Sequence, residues 1–303
     1  MARLCYSQIL LCSLSVFSFL IPQSQSINFN LANIRPQHQN VYITPFQDSY
    51  ISTKGLQVTS DEKNINMQQR TGKATYSQPL HLWDASTGSL ADFETHFTFV
   101  VDSDGRRNFA DGLAFFLAPE GSNSTAGGAM GLPIDPVTIG PTSPFVAVEF
   151  DTFPNGWDPL GTSPVTHVGI NVNSLKSSVT AAWNCDVAGG KENEAWISYD
   201  ASSHTLSVRF TGYIGIKRVE DSISFVVDLR EYLPERVKFG FSAATGAWFE
   251  KHTVRSWEFS SSFASKETTA VASSKEKTAV ASSKETAAVE KCSWEKWIIW
   301  LRN

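Results

Sequence analysis

Cysteine is scarce in this 303-residue chain, with 4 in all, and two of them, Cys5 and Cys12, fall in an N-terminal stretch expected to be removed. Cys185 and Cys292 remain, far apart in sequence, and two thiols do not make a disulfide framework. The sequence leaves open whether they pair, link to another chain or stay free. Charge is also low. Asp, Glu, Lys and Arg make up 18% of the residues, below the roughly 25% of an average domain. The 25 Lys and Arg against 30 Asp and Glu give a net charge of −5, which disfavours nucleic acid, a partner that needs a basic stripe to replace phosphate counterions. Nor does any apolar run reach the roughly 20 residues of a membrane-spanning helix.

Apolar and aromatic residues, in contrast, are plentiful. The chain is 42% hydrophobic and 12% aromatic, with 9 Trp and 20 Phe, enough to build a large core and too apolar for a wholly disordered chain. Length leaves two readings, two average domains or one large β domain of roughly 200 to 250 residues. The aromatic excess suits a β protein with aromatic packing and an aromatic binding surface.

The two ends differ from the body. Arg3, the apolar run from Ile9 to Ile21 and the small-polar stretch Gln23 to Ser26 have the layout of a secretory signal peptide over residues 1–26, with cleavage ahead of Ile27. The rival, a membrane anchor, would need a longer run. Residues 263–291 change to Ala, Ser, Thr, Lys and Glu in the repeat ASKETTAV, ASSKEKTAV, ASSKETAAV. A period of about nine residues turns each repeat by half a revolution at roughly 100° per helical residue. Val271, Val280 and Val289 then share no stripe, and a solvated linker or stalk is expected. Residues 292–303, CSWEKWIIWLRN, place Trp294, Trp297, Ile298 and Leu301 at helical spacing. That suits an interfacial anchor, a helix docking on a groove, or a sticky terminal remnant.

Residues 27–262 read as β. Segments such as FETHFTFVVD, DGLAFFLAP, PFVAVEFD, THVGINVN, HTLSVRF and RVKFGFSA have strand length and β-branched or aromatic content, and none sustains a helical period. Many short strands bounded by Gly, Pro, Asn and Asp predict one sandwich or barrel. Thr205, Ser207 and Arg209 alternate with Leu206, Val208 and Phe210, so that strand turns one face to solvent.

The densest chemistry lies in VEFDTFPNGWDPLGTSPVTHVGINVNSLKS, residues 148–177. On a strand Glu149 and Asp151 project from one face, and two neighbouring carboxylates are costly to bury unless something positive sits between them. Oxygen donors from Asp151, Asn155, Asp158 and a loop carbonyl suit a hard ion such as calcium. Glu149, Asp151, Asp158 and His167 offer a mixed oxygen and nitrogen set suited to manganese or a similar transition ion. The competing reading is that Asn, Gly, Asp and Pro simply build a turn.

The motifs INFNL, TYSQPLHLWD, THFTFVVD, ADGLAFFLAP, GGAMGL, VAVEFDTFPNGWDP, HVGINVNSLKS, WISYD, GFSAATG and SWEF, in this order, resemble those of a legume lectin from Ile27 to about Ser262. The resemblance implies an all-β jelly-roll sandwich of antiparallel sheets and a non-catalytic plant protein that binds glycans or glycoproteins. It implies calcium on Asp151, the Phe153 carbonyl, Asn155 and Asp158, and manganese on Glu149, Asp151, Asp158 and His167, with Ser177 holding a metal-bound water. The longer gap between Asp158 and His167 departs from the family and is expected to be a surface insertion. The implied sugar site comprises Asp111 behind a cis peptide after Ala110, the Gly128 N–H, the Phe153 ring, the Asn155 amide and the Ala247 N–H. The short loop from Thr245 to His252 resembles that of mannose and glucose binders, although Trp248 stands where those often carry a small or polar residue. A homo-oligomer and a place in the secretory route, apoplast or vacuole, are implied as well. The sequon Asn123-Ser124-Thr125 makes Asn123 a glycosylation candidate.

Two other functions compete. Glucan hydrolases of similar architecture carry E-x-D-x-x-E, and retaining hydrolysis needs two carboxyls roughly 5 to 5.5 Å apart; here the third position is Pro154, so the acid is lacking and no enzyme is expected. The lectin-like ectodomains of plant receptor kinases also resemble this body, which leaves a truncated receptor-like protein with a partner-binding or signalling role as the alternative.

Overall fold

A computed structural model describes residues 26–61, 66–159 and 165–263. The expected signal peptide up to Gln25, all residues after Phe263 and the centre of the longer gap between Asp158 and His167 therefore lie outside the described residues, as does Cys292. The first eight strands are β1 (Asn28–Leu31), β2 (Ile43–Gln47), β3 (Tyr50–Ser52), β4 (Gly55–Gln57), β5 (Thr71–Tyr76), β6 (Leu80–His81), β7 (Ala91–Asp102) and β8 (Gly112–Ala118). The remainder are β9 (Val146–Asp151), β10 (His167–Val172), β11 (Val179–Ala182), β12 (Glu192–Asp200), β13 (Thr205–Ile214), β14 (Lys217–Val226), β15 (Arg236–Ala244) and β16 (Lys251–Phe263).

These strands form two antiparallel sheets. One runs β14-β13-β12-β7-β16-β4-β3 with β1 added on β16; the other runs β11-β10-β9-β8-β15-β5-β2 with β6 added on β15. The expected antiparallel sandwich is what forms. Local pattern explains most strands: in β12 the buried residues are Asn193, Ala195, Ile197 and Tyr199, alternating with outward neighbours, the period of two that a half-buried strand requires. β13 likewise buries Leu206, Val208 and Phe210. The short strands β2, β3, β4 and β11 were not among the segments legible as strands. They are three to five residues long, and Pro45 in β2 is tolerated because β2 ends its sheet.

Between the sheets lies an aromatic core. Trp257 contacts Phe29 and Phe241 edge-on, each at 4.9 Å between centroids, and its indole N–H donates to Thr95 Oγ1 (3.0 Å). A buried Trp thus satisfies its one donor while its ring fills the core. The sheet that carries β8 and β9 is buried on both faces, and this positions the site. Leu113, Phe115, Leu117, Val146, Val148 and Phe150 belong to the inter-sheet core. Their alternates Ala114, Phe116, Ala118 and Ala147 pack beneath loops through Leu132, Ile134, Phe145 and Leu175. Glu149 and Asp151 share the parity of Ala147, so the loops cover them.

Candidate functional site

The register of the strands brings the acidic residues together. Glu149 lies between Ala114 of β8 and Gly169 of β10, and Asp151 between Gly112 and His167. Small neighbours leave room for buried carboxylates: a Cβ on Gly169 would collide with Ser177 Oγ and with Glu149 Oε1. Glu149, Asp151 and His167 are at most 2% exposed and Asp158 is 8% exposed. His167 Nε2 meets Glu149 Oε1 at 3.1 Å, and the Ser177 hydroxyl donates to that same oxygen. In the loop after β9 the Phe153 N–H donates to Asp151 Oδ1 (2.8 Å), and the Asn155 N–H donates to Asp158 Oδ2.

Crowded burial shifts these groups. Burial drives Asp151 well above the ordinary carboxylate range, reinforced by the charges of Glu149 and Asp158. Asp158 rises to about 6 through burial, partly offset by the Asn155 N–H and by His167. For His167 burial acts downward, but the Glu149 hydrogen bond and the two carboxylate charges outweigh it and raise the ring.

A divalent cation fits this donor set. Ligand atoms of Asp151, Asp158 and His167 lie within 4.8 Å of one another, while Asp151 Oδ2 and Asn155 Oδ1 are buried without a partner. Buried polar atoms are ordinarily satisfied, and repelling carboxylates are costly to bury without a compensating charge. The turn-only reading of this loop does not account for such orphaned oxygens.

Beside this cluster three loops meet. The Ala110–Asp111 peptide is cis, as expected. The Asp111 N–H donates to the Ala244 carbonyl and its own carbonyl accepts from the Thr152 N–H, both at 3.1 Å. Gly128 sits in a short 3-10 turn, Gly127–Ala129, tied by the Gly127 N–H to the Thr245 carbonyl (3.3 Å). A Cβ on Gly128 would lie 2.5 Å from Asn155 Oδ1, and one on Gly246 would lie 2.8 Å from Asp111 Oδ2. Asp111, Gly128, Asn155 and the loop of Ala247 therefore converge. Phe153 is half-buried in this loop; Ala247 is exposed, its carbonyl accepting from Gln68 Nε2 (2.6 Å). Asp111 Oδ2 is buried and unpartnered, and burial, then the charge of Glu250, lifts Asp111 to about 7. Asn123 is exposed on the loop after β8.

One set of residues was not legible in the sequence. Glu250, fully buried, accepts from Thr152 Oγ1 (2.7 Å) and meets His252 Nε2 (3.0 Å), and His252 in turn meets Thr59 Oγ1 (2.8 Å). This chain of side chains braces the floor under Asp111 from three remote segments. Among the described residues Cys185 has no disulfide partner, and burial pushes its thiol up to about 12.

The model of the legume lectin domain matches residues 26–276. Lectin 9 of Medicago truncatula is 40% identical over 245 residues, covering 78% of this chain and 86% of that protein. Among solved structures, basic winged bean lectin with Tn-antigen superposes with a TM-score of 0.70 at 35% identity, covering 80% of this chain and all of that one. Winged bean acidic lectin complexed with methyl-α-D-galactose gives 0.70 at 32%, with the same coverage.

Proposed function

The chain belongs to the legume lectin family, a family of non-catalytic carbohydrate-binding proteins, and from that premise we propose that it is a secreted, calcium- and manganese-dependent lectin for terminal mannose or glucose. The observation that carries the reading is the meeting of Asp111, Gly128 and Asn155 at one point with buried, unpartnered oxygens on Asp111 and Asn155. A sugar hydroxyl offers the donor that the Asp111 carboxylate lacks, while Asn155 Oδ1 would face calcium and leave the Asn155 Nδ2 to donate to a sugar oxygen. The Gly128 and Ala247 N–H groups add donors, and the Phe153 ring offers apolar surface to the C–H face of a pyranose.

The residues that would hold calcium are Asp151, Asn155, Asp158 and the Phe153 carbonyl; those for manganese are Glu149, Asp151, Asp158 and His167, with Ser177 on a bound water. When bound, the ions supply positive charge that keeps the crowded carboxylates ionised. Recognition itself is by the chain. Asn155 and Phe153 are held by Asp158 and Asp151 through backbone hydrogen bonds, and Asp111 by Ala244 and Thr152. The site is thus formed before the sugar arrives, which limits the entropy lost on binding.

Mannose or glucose is favoured by the short loop from Thr245 to His252. The winged bean relatives are described with galactose or Tn-antigen, so specificity is the part to test first. Weak monosaccharide binding would be raised by multivalency, and a homo-oligomer and export through residues 1–26 complete the reading. A glycan array run with and without chelator is expected to show terminal mannose or glucose binding lost on chelation. Dominant terminal galactose would overturn the specificity, and full affinity in demonstrably metal-free protein would overturn the mechanism.

A further inference from the structure

The outer face of the β11-to-β2 sheet carries a second cavity, of about 900 Å³, roofed by the loop after β8 and lined by Phe46, Lys73, Thr75, Phe116, Ile134 and Lys238 among others. None of the sugar-site or metal-site residues lines it, and its volume is at the upper end of small-molecule sites, roughly 300 to 1,000 Å³. The floor follows from register: Phe46 of β2 pairs with Lys73 of β5, Lys73 with Ser242 of β15, and Gly240 of β15 with Phe116 of β8.

Its charge is unusual. The Lys73 ammonium is partly withdrawn from water, donates to the Ser122 carbonyl and lies 5.9 Å from the centre of the Phe46 ring. Among the described residues no carboxylate pairs with it, and burial lowers it from the ordinary lysine range. Lys238, with its side chain only 14% exposed, donates to the Ser77 carbonyl (2.8 Å) and lies 3.4 Å from Glu120, whose side chain is 78% exposed. A desolvated cation without a counter-ion is costly to keep. Phe46 is 48% exposed at the same wall, where an apolar ring could stack. Asp135, also on the lining, is engaged in accepting from the Val137 and Thr138 N–H groups.

We infer that this cavity is a second binding site, independent of sugar and metal, for a small amphipathic anion: an aromatic or otherwise apolar body against Phe46 and Ile134 with a carboxylate on Lys73. The test uses the glycosylated, metal-loaded protein and two probes of equal shape, naphthalene-2-carboxylate and its neutral carboxamide, followed by calorimetry. The carboxylate is expected to bind at least tenfold more tightly than the carboxamide. Lys73→Met should remove that difference, Phe46→Ala should weaken both probes, and methyl α-mannoside should not compete. The probe pair on unaltered protein carries the test if Lys73→Met does not fold. Equal binding of the two probes, no binding of either, unchanged binding in Lys73→Met, or competition by the monosaccharide would each overturn the assignment. Binding that emerges only after the Asn123 glycan is removed would overturn it too, since the glycan, rooted in the cavity wall, would then be the natural occupant. Failure of sugar binding with retention of the carboxylate would count against the lectin mechanism alone.

Discussion

Gly128→Ala isolates the contact on which sugar binding is argued to rest. The φ of Gly128 lies outside the left-handed region, so alanine costs the backbone little, and the added methyl acts only through space. It would sit 2.5 Å from Asn155 Oδ1, where ordinary contact begins near 3.4 Å, so the amide must retreat by 3.4 − 2.5, about 0.9 Å. The Asn155 backbone is fixed, its N–H on Asp158 Oδ2 and its carbonyl accepting from the Asp158 N–H (3.2 Å), so the retreat must come from rotation of the side chain, which carries the amide away from the sugar position. Misplacing a directed group by ~1 Å can cost ~100-fold, and one lost hydrogen bond costs ~0.5–1.5 kcal/mol plus the penalty of an unpaired partner. The expected loss of monosaccharide affinity is therefore ~10- to 100-fold, or ~1.4–2.7 kcal/mol. Calorimetry with methyl α-mannoside measures it, with the melting temperature recorded beside it to detect overpacking. Gly156→Ala, two positions from the loop's Pro154 and with nothing within 4 Å of its would-be Cβ, serves as the control and should bind normally. Affinity of Gly128→Ala within twofold of the unaltered protein, with calcium present, would refute the convergence of Gly128 and Asn155 as the basis of the site.

Other expectations follow from burial. In chelated protein Asp111 holds its proton up to about 7 against an ordinary value of 3.8, so the folded state binds more protons than the unfolded one between those values. Stability should then fall as pH rises from about 4 to about 7, with Asp111 alone contributing at most ~4 kcal/mol at ~1.4 kcal/mol per unit and the raised Asp151 and Asp158 adding in the same direction; a melting temperature flat across that range in chelator would contradict it. Trp257→Ala removes the centre of the aromatic core and one hydrogen bond to Thr95, whose hydroxyl still donates to the Glu258 carbonyl, and should cost ~3–5 kcal/mol in urea unfolding; a cost below ~1 kcal/mol would mean that the core can collapse around the gap. Trp248, 45% exposed in the loop beside Ala247, should govern selectivity without stability: Trp248→Ala is expected to change the glycan-array profile at constant melting temperature, and an unaltered profile would remove Trp248 from the site.

Much of the architecture was legible because its signal is local. Alternation in β12 and β13, the apolar blocks of β8 and β9 and the turn residues between them announce strands before any contact is known. The short β2, β3, β4 and β11 escaped, since three to five residues carry too little periodicity and their pairing comes from neighbours. The buried acidic cluster was legible for the same local reason: Glu149, Asp151, Asn155 and Asp158 lie within ten residues, with His167 opening the next strand.

The proposed sugar site is suggested in the sequence only through resemblance. Asp111, Gly128, Asn155 and Ala247 come from four loops, and nothing in their spacing brings them together. What the sequence determined by itself is the alternation of side chains along each strand, hence that Glu149 and Asp151 share a face. What only the tertiary structure decided is which face that is. Loops carrying Leu132, Phe145 and Leu175 cover the outer side of β8 and β9, turning a pair of strand carboxylates into a buried acidic cluster. The same packing draws in Glu250 and leaves Lys73 withdrawn from water, because desolvation is set by what stacks overhead and no stretch of chain encodes that alone.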